Sequence, residues 1–313
     1  MQKPLILAKA SLTTEQIERK LELGADGIEL QLLGESLSTK GNLRVWKPFS
    51  EVYSCDFTKY PIDAIHAPLL SGIGDMTIEN MLDREDFPVL ENMFALAHSI
   101  GKERDKQVTL VVHSETYFAN MLDVGNIYNQ MRTKISMLLD KYSYTRLAIE
   151  NVSPVRGIQN KVLHLANNFG YDNIELVGRL RKDLNTDRVG TILDTCHAML
   201  TEKYIKAIYG AAGGEYDSQD YSMKMFVEQN KSLIYHVHFC DMTGSGYGKG
   251  RHGIPFTQET KESAFEILRL MYKDYAYTCP LCLEVEELDG FEVCSGFQST
   301  KKVVEEFFEQ TEA

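Results

Sequence analysis

Eight short apolar runs, separated by helix-length or longer segments, recur along the chain and constrain its fold more than any other feature. They occupy residues 5–9, 27–33, 64–70, 108–114, 146–152, 189–195, 233–240 and 281–285. Strands that alternate with helices favour a parallel sheet, and eight such units are the number that closes a (β/α)8 TIM barrel. We therefore predict an α/β protein in which residues 1–313 form a single TIM-barrel domain.

An open, doubly wound sheet is the alternative that periodicity alone leaves. The turn after the first predicted strand, residues 8–12, reads AKASL and contains no glycine. A dinucleotide-binding fingerprint needs glycines at this turn, because the backbone must approach a pyrophosphate closely. The sequence therefore argues against a Rossmann-type site and favours the barrel.

Metal-capable side chains stand at or just after the ends of six consecutive predicted strands. They are His66, His113, Glu150, Asp194 with His197, His238 and Glu284. The carboxyl ends of all barrel strands lie on one face, so these side chains are predicted to converge. Burying carboxylates and imidazoles together is costly unless a cation or hydrogen bonds compensate them. We predict a site for a divalent metal, zinc or manganese. Its predicted ligands are Glu150, Asp194, His238 and Glu284.

The stretch at 189–200, VGTILDTCHAML, shows the change from apolar to polar most clearly. A carboxylate and an imidazole at the end of a buried strand suggest metal binding by Asp194 and His197. The alternative is that Asp194 caps the following helix and that His197 packs in its first turn. These residues alone leave both interpretations open.

The charge balance bears on partners and on location. The chain has 33 Lys+Arg and 45 Asp+Glu, a net charge of −12 with histidine neutral. Proteins that bind the phosphate backbone normally carry the opposite sign, so nucleic acid is not the expected partner. No stretch approaches the ~20 apolar residues that span a membrane. We expect a cytoplasmic protein, with no membrane partner and with its six cysteines reduced, including the lone C-x-x-C at 279–282.

Seven short motifs follow one another in a recognisable order. They are HAP at 66–68, VVH at 111–113, IEN at 149–151, LDTCH at 193–197, HVHFCD at 236–241, GRH at 250–252 and LEV at 283–285. In these motifs the chain resembles the xylose-isomerase-like TIM-barrel superfamily, which includes endonuclease IV (AP endonuclease family 2) and sugar-phosphate isomerases and epimerases. The resemblance implies that one divalent metal holds adjacent oxygens of a sugar and stabilises an enediolate. It also implies that Glu150 and Glu284 act on opposite faces of the reacting carbon, one removing a proton and the other returning it.

The nuclease branch of the same superfamily implies a larger metal cluster. Two further zincs would use His66 and His113 with Glu150, and His197 with the aspartate and histidine of a D-R-H motif. That motif reads Gly250-Arg251-His252 here, so the aspartate is missing. The loop at 68–72, PLLSG, also lacks the aromatic residue that the nuclease places there to contact DNA. Both departures argue against the nuclease.

Substrate contacts are predicted on three segments. The resemblance implies that His197 and Arg251 hold substrate oxygens. The glycine-rich loop at 244–253 contains Lys249 and Arg251, which suit a phosphate or carboxylate, although a surface loop with solvated charges is the alternative. Trp46 is expected either to form an apolar wall beside a sugar or to pack within its own loop.

Some further residues are predicted to have structural or supporting roles. His236 is predicted to be a hydrogen-bonded histidine inside the barrel, and Glu29 either to bond a ligand histidine or to belong to a polar layer. Lys9 is predicted to be structural or solvated rather than reactive. An amphipathic helix at 299–310 carries Phe307 and Phe308, which are expected to pack on the barrel or on a second subunit.

The first functional hypothesis is therefore a metal-dependent isomerase or epimerase of a small sugar, sugar phosphate or related polyol. Dehydration is a neighbouring outcome, because removing a proton beside a carbonyl can end in β-elimination. The second hypothesis is a zinc-dependent abasic-site endonuclease, and the third is a sugar-binding barrel without turnover. The fold alone does not separate these classes.

Overall fold

The computed structural model describes residues 2–11, 13–32, 38–39, 42–46, 56–68, 81–82, 87–114, 124–152, 155–159, 162–165, 171–211, 213, 222–243, 251–287, 289–290 and 292–312. Eight parallel strands form the centre of the molecule: β1 (Ile6–Ser11), β2 (Gly27–Gln31), β3 (Ile62–His66), β4 (Val108–His113), β5 (Thr145–Glu150), β6 (Val189–Asp194), β7 (Ile234–Phe239) and β8 (Leu281–Leu283). Each of them pairs with its neighbours in sequence, and β8 pairs with β1 to close a barrel. The prediction of a (β/α)8 TIM barrel is confirmed.

Helices connect and cover the strands. In the described ranges they are α1 (Thr14–Glu22), α2 (Phe87–Arg104), α3 (Val124–Lys141), α4 (Tyr171–Leu184), α5 (Thr195–Ala211), α6 (Met223–Asn230), α7 (Lys261–Leu268) and α8 (Ser295–Glu312). Short antiparallel hairpins pair Ser38–Thr39 with Asn42–Trp46, Val155–Gln159 with Val162–Leu165, and Asp241–Thr243 with Arg251–Ile254. Within the described ranges, no helix combines the length and the apolar character that a membrane span requires.

The strand bounds differ from the predicted ones by a few residues. The third strand begins at Ile62, two residues before its predicted start, and ends at His66. Pro68 follows closely, and a proline has no N–H to donate to a sheet. Residues 69 and 70 of the predicted strand lie outside the described residues. The end at His66 places this histidine at the rim of the barrel.

A layer of small and branched apolar side chains fills the barrel below the rim. Ala64, Val111, Ala148 and Ile192, one each from β3 to β6, form a buried cluster. Side chains alternate between the two faces of a strand, so the residue two positions later points in the same direction. Two positions later stand His66, His113, Glu150 and Asp194. The inward-facing positions of these strands therefore place apolar residues in the core layer and, two residues later, polar residues at the carboxyl end of the barrel.

The larger hydrophobic core lies between the barrel and its helices. The last helix closes it: Phe307 and Phe308 are each only 2% exposed. Their rings pack edge-on against Phe265 of α7 and Tyr272, respectively. Of the two alternatives given for these phenylalanines, packing on the barrel is the one observed.

Candidate active site

Glu150, the last residue of β5, is the centre of the polar cluster at the carboxyl end of the barrel. Its Oε2 lies 3.0 Å from Nε2 of His66 and 3.3 Å from Nε2 of His113. Its Oε1 lies 3.4 Å from Nδ1 of both His197 and His238. The carboxylate is 1% exposed, so four histidines surround it in place of water. The predicted convergence of strand-end residues is therefore present in the structure.

Four residues offer ligand atoms that all lie within 4.8 Å of one another: Glu150, Asp194, His238 and Glu284. They come from the ends of β5 and β6, from β7, and from the position just after β8. In the register of the sheet, Asp194 stands beside His238 and His238 stands beside Cys282, two residues before Glu284. The four predicted ligands are thus one compact group, although their binding of a metal stays a prediction.

Glu29 determines which ring nitrogen of His238 carries a hydrogen. Nε2 of His238 lies 3.0 Å from Oε2 of Glu29, and a carboxylate oxygen can only accept, so Nε2 donates. The other nitrogen, Nδ1, lies 2.7 Å from Oε2 of Glu284 and 3.4 Å from Oε1 of Glu150. Among the described residues, neither Nδ1 of His238 nor Oε2 of Glu284 has an aligned hydrogen-bond partner, although both atoms are buried.

This arrangement fits a divalent cation. In a neutral His238 ring, the lone pair of Nδ1 would face two carboxylate oxygens, which is repulsive at these distances. A proton on Nδ1 relieves this repulsion, and the neighbouring carboxylates accordingly raise the pKa of His238 despite its burial. A divalent cation among the three groups can take the place of this proton, and the donor set of one imidazole and three carboxylates suits zinc or manganese. The hydrogen bond from Nε2 to Glu29 is the kind of contact that orients a ligand histidine. Glu29 was predicted either to bond a ligand histidine or to belong to a polar layer, and its hydrogen bond to His238, a predicted ligand, agrees with the first alternative.

The charges of the group support the same conclusion. Burial alone would raise the pKa of the Glu150 carboxyl, but the His238 and His113 rings hold it well below its usual range. Burial acts on Glu284 in the same way, and Lys9 and His238 outweigh it, so that its pKa is also held low. Both glutamates are therefore ionised and available as ligands or as proton acceptors at neutral pH.

Lys9 is more closely tied to this site than the sequence indicates. Its Nζ forms an ion pair with Oε1 of Glu284 and lies 3.6 Å from Oε1 of Glu29. The side chain is 11% exposed, so Lys9 is not solvated. Glu284 and Glu29 raise the pKa of Lys9 although burial acts against them. Lys9 is thus a permanently charged neighbour of a predicted ligand.

Asp194 caps the following helix, which was one of the two alternatives for it, whereas its binding of a metal stays a prediction. Its Oδ1 accepts a hydrogen bond of 2.7 Å from the backbone N–H of His197 and so caps the first turn of α5. Its Oδ2 lies 2.9 Å from Nε2 of His252. Asn151 holds the backbone of Asp194 through two hydrogen bonds, of 2.8 and 3.0 Å. The sequence analysis gave no role to Asn151, because an amide after a strand looks like any loop residue.

Two further groups of possible ligands flank the first one. His66, His113 and Glu150 form one of them, and Asp194, His197 and His252 form the other, each with ligand atoms within 4.8 Å of one another. The carbonyl oxygens of Ala67 and Asn151 accept from Nδ1 of His66 and of His197, at 2.7 and 2.8 Å. These bonds show that Nδ1 of each ring donates; Nε2 of His66 lies 3.0 Å from Oε2 of Glu150, within the first of the two groups.

His236 lies deeper in the barrel, as predicted. Its Nε2 donates to Oε2 of Glu29 at 2.7 Å, and the ring is 2% exposed. Burial keeps the pKa of His236 below its usual value, so the ring is neutral. It supports Glu29 and belongs to none of the ligand groups found in the described residues.

A cavity of about 360 Å³ opens beside the ligand group. Lys9, Gln31, His252 and Glu284 are among the residues that line it. Its volume falls in the range of small-molecule sites, which is about 300–1,000 Å³. A monosaccharide-sized ligand would therefore have space next to Glu284.

The predicted substrate contacts are only partly located. Trp46 ends a hairpin strand and Arg251 begins another. Lys249 and Gly250 lie outside the described residues, as do Ser71 and Gly72 of the loop after His66. The roles predicted for Lys249, Arg251 and Trp46 stay predictions. None of the described cysteines, Cys196, Cys240, Cys279, Cys282 and Cys294, forms a disulfide.

Solved structures with the same fold include several sugar epimerases. A D-tagatose 3-epimerase-like protein is 18% identical, with 97% of this chain and 98% of that one covered and a TM-score of 0.58. The D-allulose 3-epimerase from Methylomonas sp., in complex with D-allulose, is 12% identical, with 99% and 98% covered and a TM-score of 0.55. The IOLI protein, solved with a bound zinc atom, is 16% identical, with 97% and 98% covered and a TM-score of 0.54.

No protein-family model matches the sequence, and no curated protein matches it. At the identities of the solved structures, the shared property is the fold. The chain thus has the fold of the xylose-isomerase-like TIM barrels, as its motifs suggested, and its chemistry has to be argued from its own residues.

Proposed function

We propose that the protein is a divalent-metal-dependent isomerase or epimerase of a small sugar, sugar phosphate or related polyol. The observation that carries the proposal is the buried His238, whose Nδ1 faces Glu150 and Glu284 without an aligned hydrogen-bond partner. The IOLI neighbour binds zinc, and the Methylomonas neighbour binds D-allulose, which agrees with a metal and a sugar at this end of the barrel.

The two glutamates are assigned the proton transfers. A metal held by Glu150, Asp194, His238 and Glu284 would supply electrostatic stabilisation to a negative charge that develops on substrate oxygens. Glu150 and Glu284 are both ionised, so either can accept the proton from the carbon beside a carbonyl. The other glutamate, which is also ionised and must first take up a proton from solvent, returns that proton to the opposite face, and the glutamate that accepted the substrate proton releases it to solvent. Return to the same carbon gives epimerisation, and return to the neighbouring carbon gives isomerisation.

The remaining residues are assigned to binding and orientation. Lys9 and Gln31 line the cavity beside Glu284 and are placed to contact substrate hydroxyl or carbonyl oxygens. His197, whose Nδ1 is fixed by the carbonyl oxygen of Asn151, presents Nε2 to a further oxygen. Arg251 and Lys249 are proposed to bind a phosphate or carboxylate group when the substrate carries one, and Trp46 to cover an apolar face of the sugar.

The experiment that tests this proposal combines metal analysis with solvent exchange. Protein purified without chelator should hold zinc or manganese, and about one equivalent of it should be lost in Glu284→Gln. Ketoses, aldoses and their phosphates are then incubated with it in D2O, and NMR follows deuterium entering the carbon beside the carbonyl. Glu150→Gln and Glu284→Gln should each abolish the exchange. Glu306→Gln is the control, because Glu306 pairs with Lys261 on the outside of the barrel. No metal after zinc or manganese is offered, or exchange that survives both changes, contradicts the proposal.

A second candidate function rests on the two flanking ligand groups. An isomerase site needs only the central four ligands, whereas His66, His113, His197 and His252 extend it into three overlapping groups. Such a cluster is what a zinc-dependent phosphodiesterase acting at abasic DNA would need. Two or three zincs per chain, together with cleavage of a duplex that contains one abasic site, would favour this candidate. The net charge of −12 weighs against it.

A further inference from the structure

A pair of buried thiols lies beside the carboxylate cluster and plays no part in the proposed reaction. Cys196 is the second residue of α5, and Cys240 directly follows β7. Both side chains are 0% exposed, and they are hydrogen-bonded to each other. Their sulfurs and a ring nitrogen of His252 lie within 4.8 Å of one another. Soft sulfur ligands thus adjoin a site that is otherwise built from carboxylates and imidazoles.

The distances in this group suit a tetrahedral metal. Zinc–sulfur and zinc–nitrogen bonds of about 2.3 and 2.0 Å place a sulfur and a nitrogen about 3.5 Å apart in a tetrahedral site. Sγ of Cys240 lies 3.8 Å from Nε2 of His252. Oδ2 of Asp194 lies 2.9 Å from the same Nε2, but Asp194 does not belong to this ligand group. The set is two sulfurs and one nitrogen.

The surroundings also provide a backbone contact and a route of entry. The backbone of Gly253 forms a hydrogen bond with Cys196. Gly253 has a φ of +78°, a conformation that favours glycine and lets the backbone pass close to Cys196. The His252 side chain is 31% exposed and lines the cavity, so an ion can reach the group from solvent.

We propose that Cys196, Cys240 and His252 form a second metal site, for a thiophilic divalent cation such as zinc. The site ties together three separate segments: the start of α5, the end of β7 and the hairpin strand Arg251–Ile254. It fixes His252 at the rim of the cavity. The site is structural, and its ligand set differs from that of the proposed catalytic metal because it contains sulfur.

Cobalt is the probe that separates the two sites, because only sulfur ligands give a thiolate-to-cobalt charge-transfer band in the near ultraviolet. Metal-free protein titrated with Co²⁺ should show this band at saturation. Cys196→Ser and Cys240→Ser should each lose about half of the band or more, together with about one equivalent of bound cobalt. Cys294→Ser is the matched control, because Cys294 is a buried thiol in front of α8 that forms no disulfide and belongs to no ligand group of the described residues.

The result that overturns the proposal is the absence of the band in the wild-type protein, or a band that persists in both serine variants. Circular dichroism checks that each variant is folded. If a serine variant does not fold, zinc-edge X-ray absorption on the wild-type protein decides instead: sulfur neighbours at about 2.3 Å support the site, and nitrogen and oxygen alone refute it. The test is independent of the proposed isomerase, because Glu284→Gln should lower cobalt binding and leave the band in place.

Discussion

Changing Glu29 to glutamine should weaken metal binding, although Glu29 itself is not one of the four proposed ligands. Its Oε2 accepts hydrogen bonds from Nε2 of both His236 and His238, at 2.7 and 3.0 Å. Its Oε1 lies 3.6 Å from the ammonium group of Lys9. A glutamine must point its NH2 group either at the two histidine donors or at Lys9. Both orientations place donor against donor at a site that is 0% exposed.

The expected size of the effect follows from the loss of orientation at His238. Removing the partner of a ligand histidine typically lowers metal affinity about 10- to 100-fold. This corresponds to about 1.4–2.7 kcal/mol of binding free energy. Lys9 would add to the effect in the same direction, because without Glu29 it pairs with Glu284 alone and competes more strongly with a metal for that carboxylate.

The assay is a competition titration of zinc between the protein and a chromophoric chelator, at constant pH and ionic strength. Glu287→Gln is the matched control: Glu287 is also a carboxylate paired with a lysine, Lys20, and its side chain is 13% exposed, but no histidine contact is found for it in the described part of the chain. Both variants should lose stability, and only Glu29→Gln should lose affinity. A folded Glu29→Gln protein that binds zinc as tightly as the wild type would refute the role given to Glu29.

Three further predictions concern the same cluster. Asn151→Ala should lower the free energy of unfolding in urea by about 1–3 kcal/mol, because the buried backbone N–H and C=O of Asp194 lose their hydrogen bonds to the Asn151 side chain. A urea midpoint equal to that of the wild type would contradict this. Lys9→Met should lower the free energy of unfolding of the metal-free protein by about 3–5 kcal/mol, since Glu284 loses its counter-charge, and saturating zinc should recover most of this loss. Melting temperatures measured with chelator and with zinc give the loss in each condition. An equal loss in the two conditions would count against the site. Zinc affinity should rise about tenfold per pH unit through the neutral range. Neighbouring carboxylates raise the pKa of His238 despite its burial. Below this pKa a proton occupies Nδ1, and the metal must displace that proton to bind. Calorimetry in buffers of different ionisation enthalpy should show about one proton released per zinc from His238, and a pH-independent affinity would exclude His238 as a ligand.

Most of the cluster of strand-end carboxylates and histidines could be predicted from the sequence because it depends on local rules. The alternation of side chains along a strand sends residues two positions beyond an inward core residue to the same side. His66, His113 and Glu150 follow Ala64, Val111 and Ala148 in this way. Parallel strands in a closed barrel then bring their carboxyl ends to one face. A sequence that shows strand periodicity therefore also shows which polar residues meet.

The start of the last helix shows where local rules fail. The apolar spacing predicts a helix at 299–310, whereas α8 begins at Ser295. The carboxylate of Glu287 accepts from the backbone N–H groups of Gly296 and Phe297, at 2.8 and 3.1 Å. Because Glu287 stands nine and ten residues earlier, outside any capping-box spacing, this stabilisation of the first turn is invisible in the sequence.

The sequence by itself thus determined the number of strands, the barrel, and the ligand-type residues on its rim, because these depend on periodicities of two and of about 3.6 residues. Only the tertiary structure decided how these residues are paired. Glu29 reaches His238 across 209 positions of the chain, and Lys9 reaches Glu284 across 275. The closure of β8 on β1 creates the contact between Lys9 and Glu284, and the folding of the hairpin strand Arg251–Ile254 over α5 places His252 between Asp194 and Cys240. Such contacts join distant segments, so the distances, protonation states and shared ligands of the site follow from the closed barrel and not from any local pattern.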